Sequence, residues 1–266
     1  MSLIAFDIGG TKVAAAIIEK NEIKNVLVEN TKIKKEEFLN QLFSCIEKLR
    51  SKTTTAICMG MPGVIKNNVL MQRVSNIPFL YEINLKKEIE RRYHLPVFIE
   101  NDALCFVLGE KYFGKAKAYQ NVAGVILGTG FGLGLIINEK SYRAPQTKCG
   151  EFGNLAFKDK TLEDYCSGKF FLWRYGEKGE ILSQRAHAGD IQARKALESF
   201  GEHLGKALQL VLDRFPLQSI ILGGSITNDF SFFEKSMRQQ MKKNILIQPW
   251  SNQNIALLGA SCLLTT

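Results

Sequence analysis

Apolar and polar positions alternate along this chain with two different periods, which is typical of a protein that combines strands with helices. Apolar runs predict strands at 3–8, 12–18, 23–29, 55–59, 96–100, 122–127, 133–138 and 219–222. Amphipathic stretches predict helices at 35–50, 85–92, 101–111, 162–176, 188–214 and 254–264. The alternation of the two kinds of element predicts an α/β architecture.

Glycines mark three tips at the ends of predicted strands. Gly9-Gly10 lies between the first two strands, where it predicts a tight hairpin turn of type I′ or II′. Gly128-Thr129-Gly130 repeats this pattern about half a chain later, and Gly223-Gly224 follows another apolar run. Successive backbone N–H groups at such tips can form an anion-binding concavity. We therefore expect the first two tips to bind phosphate and the third to leave room for a flat ring or a sugar.

A lone carboxylate, Asp7, directly precedes the first tip, and Thr11 and Lys12 follow it. The hydroxyl and ammonium groups add donors for phosphate, whereas the carboxylate suits a phosphate site only if Mg²⁺ stands between them. An ordinary hairpin with a solvated Asp7 is the alternative.

A second carboxylate, Asp102, lies where a predicted strand ends and a helix begins. Ligands of α/β proteins bind at this edge, and a carboxylate there can take a proton from a substrate hydroxyl. Helix capping is the alternative, because Asn101 and Asp102 are both of residue types favoured at an N-cap.

The composition, 45% hydrophobic and 23% charged over 266 residues, is ordinary for a globular chain. No apolar run reaches the ~18 residues that suggest a membrane span, and no basic leader precedes the first strand. We therefore expect a cytoplasmic protein with no membrane partner. The six cysteines form no C-x-x-C pair, and we interpret them as small buried hydrophobic residues.

The formal net charge of +9 suggests nucleic acid as a partner to consider. The lysines and arginines, however, lie among glutamates or on the polar faces of predicted helices, which is typical of solvated surface. We therefore expect no nucleic-acid partner, and we expect the positive field to favour the approach of anionic ligands.

The ordered set of motifs resembles the ROK family of sugar kinases and sugar-responsive repressors, a branch of the actin and hexokinase superfold. The resemblance covers nearly the whole chain and rests on Asp7-Ile8-Gly9-Gly10-Thr11-Lys12, Gly60-Met61-Pro62-Gly63, Glu100-Asn101-Asp102-Ala103 with Gly109-Glu110, Gly128-Thr129-Gly130, Gly150-Glu151-Phe152-Gly153, Leu162-Glu163 with Ser167-Gly168, and Gly223-Gly224. It implies a two-domain actin/hexokinase-like fold, ribonuclease H-like and duplicated, with an interdomain active-site cleft. The implied domains are 1–108 with the C-terminal helix 254–266, and 109–253.

The resemblance also implies an activity, the ATP-dependent transfer of the γ-phosphoryl group to the 6-hydroxyl of a hexose. The hexose would be glucose or an N-acetylhexosamine such as N-acetylglucosamine or N-acetylmannosamine. Repressors of the family carry a helix-turn-helix before the segment with which this chain begins, so we expect an enzyme rather than a DNA-binding protein. A homodimer is implied as well.

The same resemblance assigns roles to individual residues. Asp102 would be the catalytic base, and Asp7 would hold Mg²⁺ through water. The phosphates of ATP would be cradled by Gly9, Gly10, Thr11, Lys12, Gly128, Thr129 and Gly130, and the adenosine would face Gly223 and Gly224. The sugar would contact Gly63, Asn76, Asn101, Asp102, Glu151, Asn154 and Glu163, whose carboxylates and amides suit a ligand with several hydroxyls.

One departure from the family concerns zinc. Family members usually have a His where Asn154 stands, followed by a cysteine-rich loop, and these bind a structural Zn²⁺ that braces the sugar site. Here the segment 155–162 is short and has no cysteine, and Cys149 and Cys166 alone do not complete a tetrahedral set. We therefore predict no zinc.

Two other functions stay open on the sequence. The first is a catalytically weak sugar-binding sensor of the same family without a DNA-binding domain. The second is a phosphotransferase of the same superfold that acts on a different acceptor.

Overall fold

The structure is a computed structural model that describes residues 1–71, 74, 77–142 and 152–264. The strands are β1 (Ser2–Ile8), β2 (Lys12–Glu19), β3 (Glu22–Asn30), β4 (Thr54–Met61), β5 (Ile65–Lys66), β6 (Val69–Leu70), β7 (Val97–Asn101), β8 (Val122–Leu127), β9 (Phe131–Ile137), β10 (Lys140–Ser141), β11 (Ala156–Phe157), β12 (Lys160–Thr161), β13 (Ser219–Gly223) and β14 (Leu246–Pro249). The α-helices are α1 (Lys35–Leu49), α2 (Leu85–Tyr93), α3 (Asp102–Tyr112), α4 (Leu162–Cys166), α5 (Gly168–Tyr175), α6 (Gly179–His187), α7 (Ile191–Leu212), α8 (Phe230–Gln239) and α9 (Ile255–Ser261). Short 3₁₀ helices add Pro78–Glu82, Phe152–Asn154, Ser225–Asp229 and Cys262–Leu264.

Every strand and helix predicted from the sequence is present, with ends within three residues of the prediction. The predicted helix 162–176 is in fact two helices, because the Ser167 hydroxyl donates to the Glu163 carbonyl at 2.7 Å and accepts from the Lys169 N–H at 3.2 Å. It thereby ends α4 and caps α5. The apolar pattern missed α6, α8 and β14, and it missed the two-residue strands β5, β6, β10, β11 and β12.

The described residues form two compact units, and the first comprises Met1–Ala118 together with the segment from Ser251. Its sheet has the strand order β3-β2-β1-β4-β7. The strands β1, β2 and β3 form an antiparallel meander, whereas β4 and β7 run parallel to β1. Their apolar side chains, with Phe38, Leu42 and Ile46 of α1, form a buried core.

The parallel register of this sheet determines which residues meet at one edge. Asp7 of β1 pairs with Gly60 of β4, and Gly60 pairs with Glu100 of β7. The carboxyl ends of parallel strands meet at the same edge, where ligands of α/β sheets bind. Asp7, the turn after Gly60 and the start of α3 therefore belong to one edge of the sheet.

Close helix packing holds α3 in this unit. A side chain at Gly259 of α9 would collide with the Cys105 carbonyl oxygen, and one at Gly109 would collide with the Ile255 carbonyl oxygen. The two helices therefore approach each other backbone to backbone, which only glycine permits. This contact fixes the helix that begins with Asp102.

The second unit comprises 119–142 and 152–250 of the described chain, and its sheet has the order β10-β9-β8-β13-β14. The antiparallel pairs β8–β9 and β9–β10 form a meander, and β13 and β14 run parallel to β8. This is the strand order of the first unit, so the sheet is duplicated. The helices α7 and α8 pack against each other through Phe200 and Phe233, whose ring centroids lie 5.5 Å apart.

Among the described residues, no helix is both long and apolar enough to cross a membrane.

Candidate active site

The first glycine tip connects β1 and β2 and lies next to Asp7. The register Ile8 to Val13 confirms the predicted hairpin, and the Gly9 N–H donates to the Lys12 carbonyl at 2.8 Å. The predicted turn type is wrong. A type I′ or II′ turn needs φ above zero, and neither Gly9 nor Gly10 is among the described glycines with positive φ.

A left-handed conformation therefore does not explain the glycines of this tip, and limited space favours glycine at position 9. A Cβ at Gly9 would lie 3.3 Å from the Lys12 carbonyl oxygen, which is tighter than ordinary contact. Thr11 and Lys12 are exposed, and Asp7 is half-buried beside them. Burial raises the pKa of the Asp7 carboxyl, and the nearby Lys12 ammonium lowers it in part.

At the start of α3, Asn101 and Asp102 occupy adjacent positions with different structural roles. Asn101 is the N-cap, since its Oδ1 accepts from the Leu104 N–H at 3.1 Å. Asp102 follows as the first residue of the helix, and its Oδ1 accepts from the Ala103 N–H at 2.8 Å. The capping interpretation therefore applies to Asn101, and the Asp102 carboxylate is available for chemistry.

The electrostatic setting of Asp102 is unusual for a carboxylate. Its pKa is raised to about 7, chiefly by burial and then by the negative charge of Asp7. The backbone N–H groups of Ala103 and Asp102 oppose this rise in pKa but do not cancel it. A carboxyl group poised near neutrality exchanges a proton readily, which is what a general base requires.

The loop after β4 is held against this helix start. The Asn101 side-chain amide donates to the Gly63 carbonyl at 3.0 Å. Gly63 itself has φ of 103°, and a Cβ there would lie 2.7 Å from Leu70 Cδ1. A Cβ at Gly60 would lie 3.2 Å from the Cys105 side chain. Gly63 and Asn101, two of the predicted sugar contacts, thus bond to each other, and their role toward a sugar stays a prediction.

The second unit carries the other predicted phosphate tip, between β8 and β9. The Gly128 N–H donates to the Gly130 carbonyl at 3.1 Å, and the Gly168 N–H donates to the Gly128 carbonyl at 2.7 Å. A Cβ built at Gly128 has no described atom within 4 Å. Thr129 is exposed at the tip. Among the described residues, the space next to the Gly128 Cα is therefore open, and the Gly128 carbonyl is bonded to the start of α5.

Glu163 supports the same tip. Its Oε2 accepts from the Phe131 N–H at 3.1 Å, and its Oε1 lies 2.6 Å from the Lys169 Nζ. A Cβ at Gly130 would come within 2.7 Å of Glu163 Oε2. Sequence reasoning missed Lys169, and the only signal for it was a cation directly after the Ser167-Gly168 pair.

The third glycine pair lies at the end of β13. Gly224 has φ of 90°, and a side chain there would collide with the backbone of Leu127 in the neighbouring strand β8. Close strand approach and backbone conformation therefore both require glycine at this position. Gly223 and Gly224 lie beside the end of β8, the strand that leads into the Gly128 tip.

Three predicted sugar contacts remain. Asn154 ends a 3₁₀ helix and is exposed. Asn76 and Glu151 lie outside the described residues, as does Cys149. Among the residues that are described, no group of three His, Cys, Asp or Glu side chains could hold a metal ion, and the absence of zinc stays a prediction.

Comparison with known proteins places these features in a family. The family model described as "ROK family" matches residues 3–262. A xylose repressor of Bacillus subtilis is 35% identical over 63% of this chain, but the match spans 47% of the repressor, about half its length. An N-acetyl-D-glucosamine kinase of Mannheimia succiniciproducens is 29% identical over 92% of this chain and 90% of its own length.

A solved structure shows the same fold. The ROK family glucokinase of Streptomyces griseus, in complex with glucose and AMPPNP, superposes with a TM-score of 0.87 at 23% identity and covers 99% of both chains. The predicted α/β, actin/hexokinase-like fold is confirmed by this likeness and by the two five-stranded sheets. With a family model matched from residue 3 to residue 262, the chain belongs to the ROK family.

Proposed function

We propose that this protein is a sugar kinase that transfers the γ-phosphoryl group of ATP to the 6-hydroxyl of a hexose or an N-acetylhexosamine. The observation that carries the proposal is Asp102, whose pKa is raised to about 7 by burial and by Asp7. Asn101 performs the capping that Asp102 would otherwise perform. A carboxylate that is costly to ionise and is not the N-cap of its helix has the properties of a general base.

In this mechanism the 6-hydroxyl oxygen attacks the γ-phosphorus while its proton passes to the Asp102 carboxylate. The bond between the γ-phosphorus and the β,γ-bridging oxygen breaks, and ADP leaves. Proton transfer of this kind contributes about 10² to 10⁴ in rate. Positioning and charge neutralisation supply most of the rest in phosphoryl transfer.

Asp7 suits the magnesium that accompanies ATP. Its pKa is raised by burial, and its charge in turn raises the pKa of Asp102. A dication near two such carboxylates offsets the cost of their charges, and oxygen donors are what Mg²⁺ prefers. Asp7 would hold the ion through water. When bound, Mg²⁺ neutralises charge that develops on the phosphates.

The phosphates of ATP would bind at the two glycine tips, where the Gly9 and Gly128 N–H groups already donate within the tip and hold its shape. Gly9, Gly10, Thr11 and Lys12 form one set. Gly128, Thr129 and Gly130 form the other, with Gly223 and Gly224 beside the adenosine. Lys12 is exposed and adds a positive charge near Asp7. Such donors stabilise charge most effectively when they are held in place before the ligand binds.

Relatives of two kinds support a sugar as the acceptor. The Mannheimia relative is named for N-acetyl-D-glucosamine, and the Streptomyces structure contains glucose. We propose that Gly63, Asn101, Asp102, Asn154 and Glu163 contribute to sugar binding, together with Asn76 and Glu151. Glu163 would do so while its carboxylate also accepts from Phe131 and Lys169, since each carboxylate oxygen accepts more than one hydrogen bond.

A sugar-binding sensor is the second candidate. The observation that favours it is the likeness to a xylose repressor, at 35% identity over 63% of this chain. A sensor needs the sugar contacts but has no need of a proton acceptor. The raised pKa of Asp102 beside Asp7 therefore favours the kinase.

A turnover assay separates the two candidates and identifies the sugar. ADP release would be measured with Mg·ATP across glucose, mannose, N-acetylglucosamine and N-acetylmannosamine, each beside its 6-deoxy analogue. We expect turnover on at least one sugar and none on its 6-deoxy analogue. Sugar-dependent thermal stabilisation without turnover on any of them would support the sensor instead.

A further inference from the structure

Glu163 lies on an element that is too short to hold its own orientation. The helix α4 that carries it has five residues, and isolated helices of this length are not stable. The hairpin before it, β11 with β12, has two residues in each strand. A hairpin of this size is not stable alone either. Side-chain contacts must therefore fix both elements.

Tyr165 supplies the central contact. Its hydroxyl donates to the Asp159 carboxylate at 2.5 Å, which joins α4 to the turn of the hairpin. Its ring lies edge-on to His203 of α7 at 4.7 Å and to Trp173 of α5 at 5.3 Å between centroids. Phe157 of β11 adds a further edge contact at 5.5 Å. One buried side chain thus contacts four other elements or turns.

The ionisation state of His203 suits this arrangement. Its pKa is lowered to about 4, first by burial and then by the charges of Lys158, Lys206 and Arg174. The imidazole is therefore neutral near pH 7, and its Nδ1 can accept from the Lys158 Nζ, which lies 3.2 Å away. The same ammonium lies 5.0 Å from the centroid of the Tyr165 ring. Lys158, at the turn of the hairpin, is thereby held against α7 and α4.

Two further contacts, a capping box and an indole hydrogen bond, connect α4 to its neighbours. Thr161 and Asp164 form a capping box at the start of the helix. The Trp173 indole N–H donates to the Asp164 carbonyl at 2.9 Å. Asp164, the residue after Glu163, is therefore tied both to Thr161 at the end of β12 and to α5.

We propose that these contacts form a brace that positions Glu163, with Tyr165 as its central positioning residue. The hairpin brace consists of Phe157, Lys158, Asp159, Tyr165, Trp173 and His203. Through α4, the hairpin brace keeps the Glu163 carboxylate in its hydrogen bond with the Phe131 N–H and in close contact with Gly130 of the Gly128 tip. The proposal rests on the proposed function, because positioning Glu163 matters to turnover only if the protein is a kinase.

A substitution of one hydroxyl tests the brace. Tyr165→Phe keeps the ring and removes the bond to Asp159. Tyr93→Phe is the matched control, because it removes a tyrosine hydroxyl that donates to the Phe43 carbonyl in the first unit. We expect Tyr165→Phe to lower kcat/KM for the sugar about tenfold, the effect of losing one hydrogen bond to a charged group. We expect Tyr93→Phe to leave kcat/KM within twofold, with similar melting temperatures for both.

A double-mutant cycle makes the test specific for Glu163. If Tyr165 acts through Glu163, Tyr165→Phe has little further effect on kcat/KM in a Glu163→Gln background. Independent, multiplying effects would overturn the proposal, as would a kcat/KM for Tyr165→Phe equal to that of Tyr93→Phe. Asp159→Asn weakens the same bond from the exposed side of the hairpin, and it replaces Tyr165→Phe if that variant does not fold.

If the kinase proposal is wrong, the unaltered chain will show no turnover on any of the four sugars, and this result is distinct from a failure of the brace. The brace would then be judged by the emission of Trp173 in a Trp250→Phe background. A shift of that emission in Tyr165→Phe but not in Tyr93→Phe would support the brace, and unchanged emission in both would sink it.

Discussion

At the scale of single residues, Asn101 and Asp102 have different roles at the start of α3, Asn101 as the N-cap and Asp102 as the proposed base. The sequence placed both at a strand-to-helix junction, where either could cap. The structure assigns the cap to Asn101, through its bond to the Leu104 N–H. Capping depends on which side chain turns back toward the helix, and this is decided by tertiary contacts such as that of Asn101 with Gly63.

The pKa of Asp102 leads to a prediction for the pH profile. A base must be ionised to accept a proton, so kcat/KM for the sugar should rise with pH through about 7 and then level off. Burial is the main cause of the raised pKa, and the charge of Asp7 is the second. The measurement is kcat/KM for the sugar from pH 5 to pH 9 at Mg·ATP well below its KM, so that the profile reports the free protein, to which this pKa belongs. A profile already flat from about pH 5 upward, as for an ordinary carboxylate, would contradict this assignment.

The contacts of Glu163 show what the sequence leaves out at this scale. Its position was predicted from the Leu162-Glu163 motif, but its bonds to Phe131 and Lys169 could not be. Phe131 lies more than thirty residues before it in the chain. Contacts at such sequence distance depend on sheet register and helix packing, which no local pattern encodes.

At the scale of elements, the long and strongly periodic segments were predicted and the short ones were not. The apolar faces of α1 and α7 and the buried strands β1 and β8 give clear patterns. The strand β14 has four residues and depends on its pairing with β13. The helix α8 has the apolar periodicity of an amphipathic helix, with Phe230, Phe233 and Met237 on one face. The sequence prediction does not include it.

For the segment after Asn154, the sequence predicted the absence of the zinc ligands but not the secondary structure. The sequence indicated a short stretch without cysteines where the family's zinc loop would stand. It folds as the hairpin of β11 and β12, which the spacing of apolar residues did not predict. Its stability comes from aromatic and cationic contacts with α4, α5 and α7, and these depend on tertiary structure.

Two glycines at different elements should respond differently to the same substitution, one through stability and the other through ATP binding. Gly259→Ala should lower the free energy of unfolding by ~1–3 kcal/mol, because its methyl group would collide with the Cys105 carbonyl oxygen between α9 and α3. Gly128→Ala should leave stability nearly unchanged, since a Cβ there meets no described atom within 4 Å. It should instead raise KM for ATP about tenfold, because the methyl group would stand in the space proposed for phosphate.

Urea unfolding and ATP kinetics on the two variants check this pair of predictions, and each variant is the control for the other. A loss of stability in Gly128→Ala with unchanged KM for ATP would mean that its tip is structural. An unchanged unfolding free energy in Gly259→Ala would contradict the backbone contact between α3 and α9.

At the scale of the whole molecule, the chain repeats one plan. Each unit has a five-stranded sheet in which an antiparallel meander is followed by two parallel strands. The glycine tip follows the first strand of each meander, at Gly9 in one unit and Gly128 in the other. The repeated strand and glycine pattern made the family recognisable from sequence.

The identity of the sugar was less predictable than the fold, for a physical reason. Selection between a hydroxyl and an acetamido group depends on the wall of the binding site, to which side chains distant in sequence contribute. Two of the predicted contacts, Asn76 and Glu151, lie outside the described residues. The predicted homodimer and the absence of zinc likewise stay predictions.

The role of Asp102 as the base is tested by measuring the turnover of Asp102→Asn together with its sugar affinity. The amide keeps the Oδ1 that accepts from the Ala103 N–H, but it cannot take a proton from the 6-hydroxyl. We predict that kcat falls by about 10² to 10⁴, while the dissociation constant of the sugar, measured by calorimetry, stays within a few fold. A kcat within threefold of the unaltered chain would contradict the assignment of Asp102 as the base.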